Sequence, residues 1–387
     1  MELDIVDTEK KINYFALLAY FVSLSLFVVM RICGVCGVFN NWGPYASYFL
    51  SLITQVGIIF LVPLTIFTLV TKSKVKHVSV FCMFKKASYK VILISFVLGI
   101  VVFFLNNYVS TFFNTIIQFF GYKPSTSSDS ALPATWWTFL LNLLCTAVLP
   151  AFAEEVLHRG LLLNGVSMMG IKKSVLISGV LFGLFHLNIE QCFYAIIIGI
   201  FLGFLCHVCW SIYPCMIVHF MNNALSVFLS FARQKGWAIG NIFTYVSAAL
   251  SKNVFLGIVV YLLFFILLLI LLSKIMGFIM KETVKYGLMK HTQEFKNKIA
   301  RESFYQEIDA IKNDNFQPVQ QYRTITVDFK DLFNFIKENK EEIVADEKKS
   351  IDEFKPDFRA KILLWGCFAL SIVITVMTFI WGLFRWQ

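Results

Sequence analysis

The chain has 387 residues, of which 58% are apolar and only 15% are charged. Soluble domains carry about 25% charged residues, so this composition excludes an ordinary soluble protein. The net charge of +10 lies in short loops between apolar runs, without a basic patch that has interleaved aromatic residues. That distribution indicates membrane topology rather than nucleic-acid binding.

Apolar runs of about 20 residues, the length of a bilayer-crossing helix, recur along the chain. They are continuous rather than alternating, which predicts an all-α, polytopic bundle of transmembrane helices and argues against a β-barrel. About eight core spans and one C-terminal span are predicted, at residues 13–34, 47–70, 91–119, 137–153, 174–188, 192–210, 214–231, 254–274 and 362–384.

Lysine placement predicts the orientation. The 71–90 loop carries six lysines, whereas the 33–46 loop carries no Lys or Arg. The positive-inside rule therefore places 71–90 in the cytoplasm, together with the N-terminus. The 232–253 loop is an exception, because it carries basic residues on the predicted outer side. The frequent Phe, Lys and Asn are typical of an AT-rich bacterial genome, so we expect a multi-pass protein of a bacterial cell membrane.

Residues 281–361 differ in kind from the transmembrane region, 1–280. They mix Lys, Glu and Asp with spaced aromatic residues, which predicts a small soluble cytoplasmic appendage. Its predicted elements are helices at 283–312 and 330–349 with a short strand at 322–329. A C-terminal transmembrane helix follows within 362–387.

Polar residues of catalytic type lie in or beside three of the apolar segments. Ionisable groups in hydrocarbon cost about 2.5–3.5 kcal/mol each even on the lenient insertion scale. In the first segment, 153–160 (AEEVLHRG), Glu155 and Arg159 are four residues apart and can pair. Such a pair would hold one carboxylate ionised and leave Glu154 for chemistry. Taken alone, the group also fits a charge cluster at a helix end.

The second segment, 182–188 (FGLFHLN), carries His186 near the end of an apolar helix, where a lone histidine is more often structural. The third, HFMNN, places His219 and Asn223 on one helix face, where both can donate hydrogen bonds to an oxyanion. Asn222 points about 100° away from Asn223. Together the three groups suit water activation and acyl cleavage.

Small residues four apart predict close packing in this region, at Gly179 and Gly183 and on the face of Ala195, Gly199 and Gly203. Cysteines within the apolar runs are predicted to be small core residues. Neither Cys33 with Cys36 nor the cluster at 206–209 has the partner pair that a structural zinc site needs.

The order and spacing of Glu154-Glu155-x-x-x-Arg159, Phe182-x-x-x-His186 and His219-x-x-x-Asn223 resemble the three motifs of the CPBP intramembrane proteases. That family includes CAAX prenyl endopeptidases of the Rce1 type and bacterial proteins called Abi. The resemblance covers about residues 135–230 and implies an intramembrane endopeptidase. Its substrates would be membrane-anchored peptides or protein tails.

By position, the resemblance implies that Glu154 activates water and that His186 helps to orient or deprotonate it. His219 and Asn223 would stabilise the oxyanion, and Glu155 with Arg159 would hold the site in shape. No cofactor or obligatory metal is implied, although Glu154, His186 and His219 could in principle hold zinc. The predicted spans place Glu154 near the inner end of its helix and His186 near the outer end, which separates them in depth.

Two other functions are compatible with the sequence. One is a non-catalytic member of the same fold, such as a bacteriocin-immunity or scaffold protein. The other is a proton-coupled transporter that uses Glu154, Glu155 and the histidines as a relay. The absence of obvious inverted repeats in the chain argues against the transporter.

Overall fold

The computed structural model describes residues 2–124, 132–312 and 355–384. The secondary structure in these ranges is helical, without a strand, which confirms the all-α prediction. The helices are α1 (Glu2–Val35), α2 (Ala46–Thr71), α3 (Val75–Phe81), α4 (Tyr89–Phe119), α5 (Trp136–Gly165), α6 (Ile171–Phe185), α7 (Ile189–Cys209), α8 (Tyr213–Gln234), α9 (Ile242–Ser251), α10 (Val254–Lys312) and α11 (Phe358–Leu383).

Eight of these helices are long and apolar enough to cross a membrane. They correspond to eight of the nine predicted spans. The ninth, predicted at 174–188, is α6, which has 15 residues. At 1.5 Å per residue it reaches about 22 Å, short of the roughly 30 Å hydrocarbon core. Helix α6 is therefore too short to cross the hydrocarbon core, and it ends inside the helical bundle. His186 follows directly after its last residue.

Helix α5 is longer than predicted. The apolar run suggested an end at residue 153, but the helix continues to Gly165. A prediction from hydropathy ends the span just before Glu154 and Glu155, because charged residues usually lie at the membrane surface. Here Glu155 and Arg159 are both fully buried within the bundle. The two carboxylates consequently lie inside the helical bundle rather than at its edge.

Helices α6 and α7 form an antiparallel hairpin with very close backbones. A Cβ atom on Gly179 would lie 2.5 Å from the backbone nitrogen of Ile200, and one on Gly199 would lie 2.6 Å from the carbonyl oxygen of Gly179. No larger side chain fits there, so the predicted small-residue contact is confirmed. The hairpin brings the end of α6, and with it His186, beside α5.

The start of the α1 span, the end of α5 and the 71–90 loop lie close together at one end of the bundle. The Asn13 side chain donates to the Gly165 carbonyl oxygen at 2.7 Å, which joins the start of α1 to the end of α5. A Cβ atom on Gly160 would meet the Cβ of Cys82 at 2.9 Å, which places the 71–90 loop close to the same end. The lysine-rich loop and the beginning of the α1 span therefore lie on one side, as an antiparallel bundle requires.

The chain divides into two compact units, Met1–Met280 with Lys355–Gln387, and Lys281–Phe354. Helix α10 begins in the first unit, and its apolar part is Val254–Tyr286. The predicted strand at 322–329 and helix at 330–349 lie outside the described residues. The division of the chain into functional domains stays a prediction.

Candidate functional site

The two adjacent glutamates lie at an interruption of regular helix geometry. Within α5, the α-helical stretch Leu149–Glu155 is flanked by π-helical turns at Leu144–Val148 and Val156–Leu162. A π turn has a wider hydrogen-bonding ring than an α turn and often occurs at functional sites. These turns change the register of the side chains that α5 presents to its neighbours.

A buried cluster of charged and polar groups forms around Glu155. Arg159 Nη1 donates to Glu155 Oε1 at 2.8 Å, as its i, i+4 spacing predicted. His219 Nδ1 lies 2.8 Å from the same carboxylate oxygen, a contact between α8 and α5 that the sequence did not reveal. Arg159 Nη2 also donates to the Gly199 carbonyl oxygen of α7 at 3.0 Å. The Glu155–Arg159 pair thereby joins α5, α7 and α8, and Glu155 binds His219 through Nδ1.

Phe182 is the aromatic centre of the site. Its ring centroid lies 5.2 Å from that of His186, 5.7 Å from that of His219 and 5.0 Å from that of His158, each in edge-on geometry. The Arg159 guanidinium carbon lies 4.3 Å from the same centroid, within cation–π range. Phe182 thus separates the three imidazole rings and packs against the buried arginine.

Glu154 is only partly buried and lies beside His186. His158 Nδ1 is hydrogen bonded to the Glu154 carbonyl oxygen at 2.8 Å, and the Phe182 ring packs against both His158 and His186. His186 Nδ1 is hydrogen bonded to the Phe182 carbonyl oxygen at 2.9 Å. One Glu154 oxygen accepts a hydrogen bond of 2.9 Å from Gln55 Nε2 on α2. Sequence reasoning missed Gln55, whose only signal was an amide within an apolar run.

The helix bounds reduce the predicted difference in depth between Glu154 and His186. Glu154 lies eleven residues before the end of α5, about 16 Å along the helix axis. His186 lies fifteen residues after Ile171, about 22 Å along α6 from the same end of the bundle. The longer α5 and shorter α6 therefore bring the two residues to within about 6 Å of depth, roughly one helical turn.

Asn223 is held by a chain of amides. Its Nδ2 donates to the Thr146 carbonyl oxygen at 3.1 Å, and its Oδ1 accepts from Asn222 Nδ2 at 2.9 Å. Asn222 Oδ1 in turn accepts from Asn106 Nδ2 of α4 at 3.3 Å. Asn222, predicted to diverge from Asn223, is therefore its partner. One Nδ2–H of Asn223 remains for a further acceptor.

A metal site is not supported by the arrangement of donors. Within residues 2–124, 132–312 and 355–384, no three His, Cys, Asp or Glu side chains are grouped so that they could hold a metal ion. Glu154, His186 and His219 are accordingly not grouped as a metal site in that part of the chain, and the absence of a cofactor stays a prediction. As expected, the seven cysteines within apolar runs are buried, whereas Cys36 is exposed and Cys33 is half-buried.

Comparison with known proteins identifies the region that carries the site. Residues 135–225 match the sequence model of the Rce1-like family, described as type II CAAX prenyl endopeptidase Rce1-like. This range begins just before α5, ends within α8 and contains all six predicted site residues. No curated protein and no solved structure matches the chain.

The family match and the eight apolar helices together indicate an integral, multi-pass membrane protein. The family supports a CAAX-protease-like intramembrane peptidase in general. The match thereby supports the CPBP/Rce1 family assignment made from the three motifs.

Proposed function

We propose that this chain is an intramembrane endopeptidase that hydrolyses peptide bonds in membrane-anchored peptides or protein tails. The observation that carries the proposal is the closeness of the turn with Glu154 to His186 around the Phe182 ring, beside the buried Arg159–Glu155–His219 cluster. A half-buried carboxylate next to an imidazole is a suitable arrangement for removing a proton from water.

In the proposed reaction, Glu154 accepts a proton from water as the water oxygen attacks the peptide carbonyl carbon. The Phe182 carbonyl oxygen can only accept a hydrogen bond, so His186 carries its proton on Nδ1. The unprotonated Nε2 can then accept a hydrogen bond from the same water and orient it. The carbonyl π electrons move onto oxygen and form a tetrahedral oxyanion.

His219 and Asn223 would stabilise that oxyanion. Glu155 holds His219 at Nδ1, which leaves Nε2 as the ring atom that would donate to the oxyanion when it carries a proton. Asn223 would donate its remaining Nδ2–H, with the carboxamide fixed by Thr146 and Asn222. When the intermediate collapses, the C–N bond breaks and Glu154 returns its proton to the leaving amine. No step requires a metal or a cofactor.

The location of the protein is also part of the proposal. The lysine-rich 71–90 loop and the start of the α1 span share one end of the bundle. With that end in the cytoplasm, the orientation obeys the positive-inside rule. A substrate would reach Glu154 from the bilayer or from the cytoplasmic side, and the composition favours a bacterial cell membrane. We propose a lipid-embedded peptide as partner and no nucleic acid.

Glu154→Gln and His186→Ala in the purified chain, reconstituted in liposomes with a membrane-tethered peptide reporter, test the proposal. Both substitutions should lower cleavage by about 10²–10⁴-fold, the usual contribution of general-base catalysis. Glu190→Gln, which alters a carboxylate at the start of α7 that is bonded to Tyr122, is the matched control and should retain activity. Cleavage should also persist in a strong chelator. Full activity of both site variants would refute the proposal, and loss of activity in chelator would refute the metal-free mechanism.

A further inference from the structure

Polar side chains along one face of α2 connect it to α5. The Tyr48 hydroxyl donates to Asn142 Oδ1 at 3.1 Å, and the Ser51 hydroxyl donates to the Cys145 carbonyl oxygen at 3.1 Å. Both contacts lie toward the start of α5, before the two glutamates. They are ordinary interhelical hydrogen bonds of the kind that tie membrane helices together.

Gln55 continues this face one turn further along α2, but its partner is different. Its Nε2 donates to Glu154 Oε1 at 2.9 Å, so the acceptor is the candidate general base itself. A hydrogen bond to an ionised carboxylate is shorter and stronger than one between neutral groups. It therefore restricts the rotation of the Glu154 side chain.

The partner of Gln55 distinguishes it from the two ties beside it on α2. Tyr48 donates to an amide oxygen and Ser51 to a backbone carbonyl oxygen, whereas Gln55 donates to the Glu154 carboxylate. Its Oε1 is buried and has no hydrogen-bond partner among the described residues. The hydrogen bond to Glu154 is therefore the one that holds the Gln55 side chain.

Departures from α geometry lie at this contact in α2 and beside it in α5. Gln55 lies in a π-helical segment of α2, Ile53–Leu61, and Glu154 lies next to the π-helical turn Val156–Leu162 of α5. Gln55 also lies outside the family match at 135–225. Its position is thus a property of this bundle and not part of the three motifs.

We infer that Gln55 is a positioning residue for Glu154, an inference that rests on the proposed function. By holding Oε1 of Glu154, it directs the second carboxylate oxygen toward His186 and the attacking water. Gln55 acts on the reaction through Glu154 alone. Its loss should therefore lower kcat, because the base is less often in its reactive orientation, and should leave KM unchanged.

The test compares three variants in the reconstituted reporter assay. Gln55→Met keeps the length and removes the hydrogen bond, and we expect kcat to fall about 10–100-fold, as for a misplaced catalytic group. Gln55→Glu can donate to Glu154 only when its own carboxyl is protonated, so its kcat relative to wild type should rise as pH falls. Ser51→Ala removes a hydrogen bond between the same two helices without touching Glu154 and should keep wild-type kcat.

Several results would overturn this inference. If Gln55→Met and Ser51→Ala lower activity equally, or if Gln55→Glu shows no relative gain at low pH, Gln55 is only an interhelical tie. If the wild type cleaves, Glu154→Gln does not, and Gln55→Met cleaves at the wild-type rate, the inference fails while the proposed function stands. A wild-type chain that cleaves no tethered reporter would overturn both. Thermal unfolding of each variant identifies loss of fold.

Discussion

Replacing Arg159 by Met would leave the Glu155 carboxylate buried without its cationic partner. Both side chains are fully buried, their atoms lie 2.8 Å apart, and Arg159 also donates to the Gly199 carbonyl oxygen at 3.0 Å. Methionine fills much of the same space but donates no hydrogen bond. Removing one partner of a buried ion pair destabilises a protein by about 3–5 kcal/mol, so we expect a loss of that size in the free energy of unfolding.

Unfolding by sodium dodecyl sulfate in mixed micelles, followed by tryptophan fluorescence, measures this loss. The double variant Arg159→Met with Glu155→Gln should lose less than the sum of the two single variants, because no charge is then left unpaired. The His219 contact with Glu155 would remain in Arg159→Met and partly compensate. A single variant within about 0.5 kcal/mol of wild type, or strictly additive losses, would refute the role assigned to this pair.

Two further predictions concern the amide chain and the close helix pair. Asn222→Leu removes the donor that holds Asn223 Oδ1, and a loss of about 1.4 kcal/mol in oxyanion stabilisation would lower kcat roughly tenfold; unchanged kcat in the reporter assay would contradict this. Gly183→Ala would place a Cβ atom 2.6 Å from the Cys192 carbonyl oxygen and should destabilise the protein by about 1–3 kcal/mol in the same unfolding assay. Gly277→Ala, where no atom lies within 4 Å of the added Cβ, is the control; equal stability of the two variants would argue against the tight hairpin.

The sequence by itself predicted the features that depend on local spacing. Long apolar runs identify membrane helices because the bilayer sets a length that each helix must meet alone. Glu155 and Arg159 pair as predicted because residues four apart always lie on one face of a helix. Gly179, Gly183 and Gly199 likewise marked the close contact of α6 and α7, since small residues four apart leave a flat helix face.

Other features were decided only by the tertiary structure. Helix α5 continues past Glu154 because Glu155 finds partners on α5 and α8 inside the bundle, and hydropathy along one segment cannot register a partner 64 residues away. The same holds for Gln55, which is an isolated amide in its own segment and meets Glu154 only after α2 packs on α5. Chain folding in three dimensions thus determined which buried polar groups compensate one another, and the depth at which Glu154 meets His186.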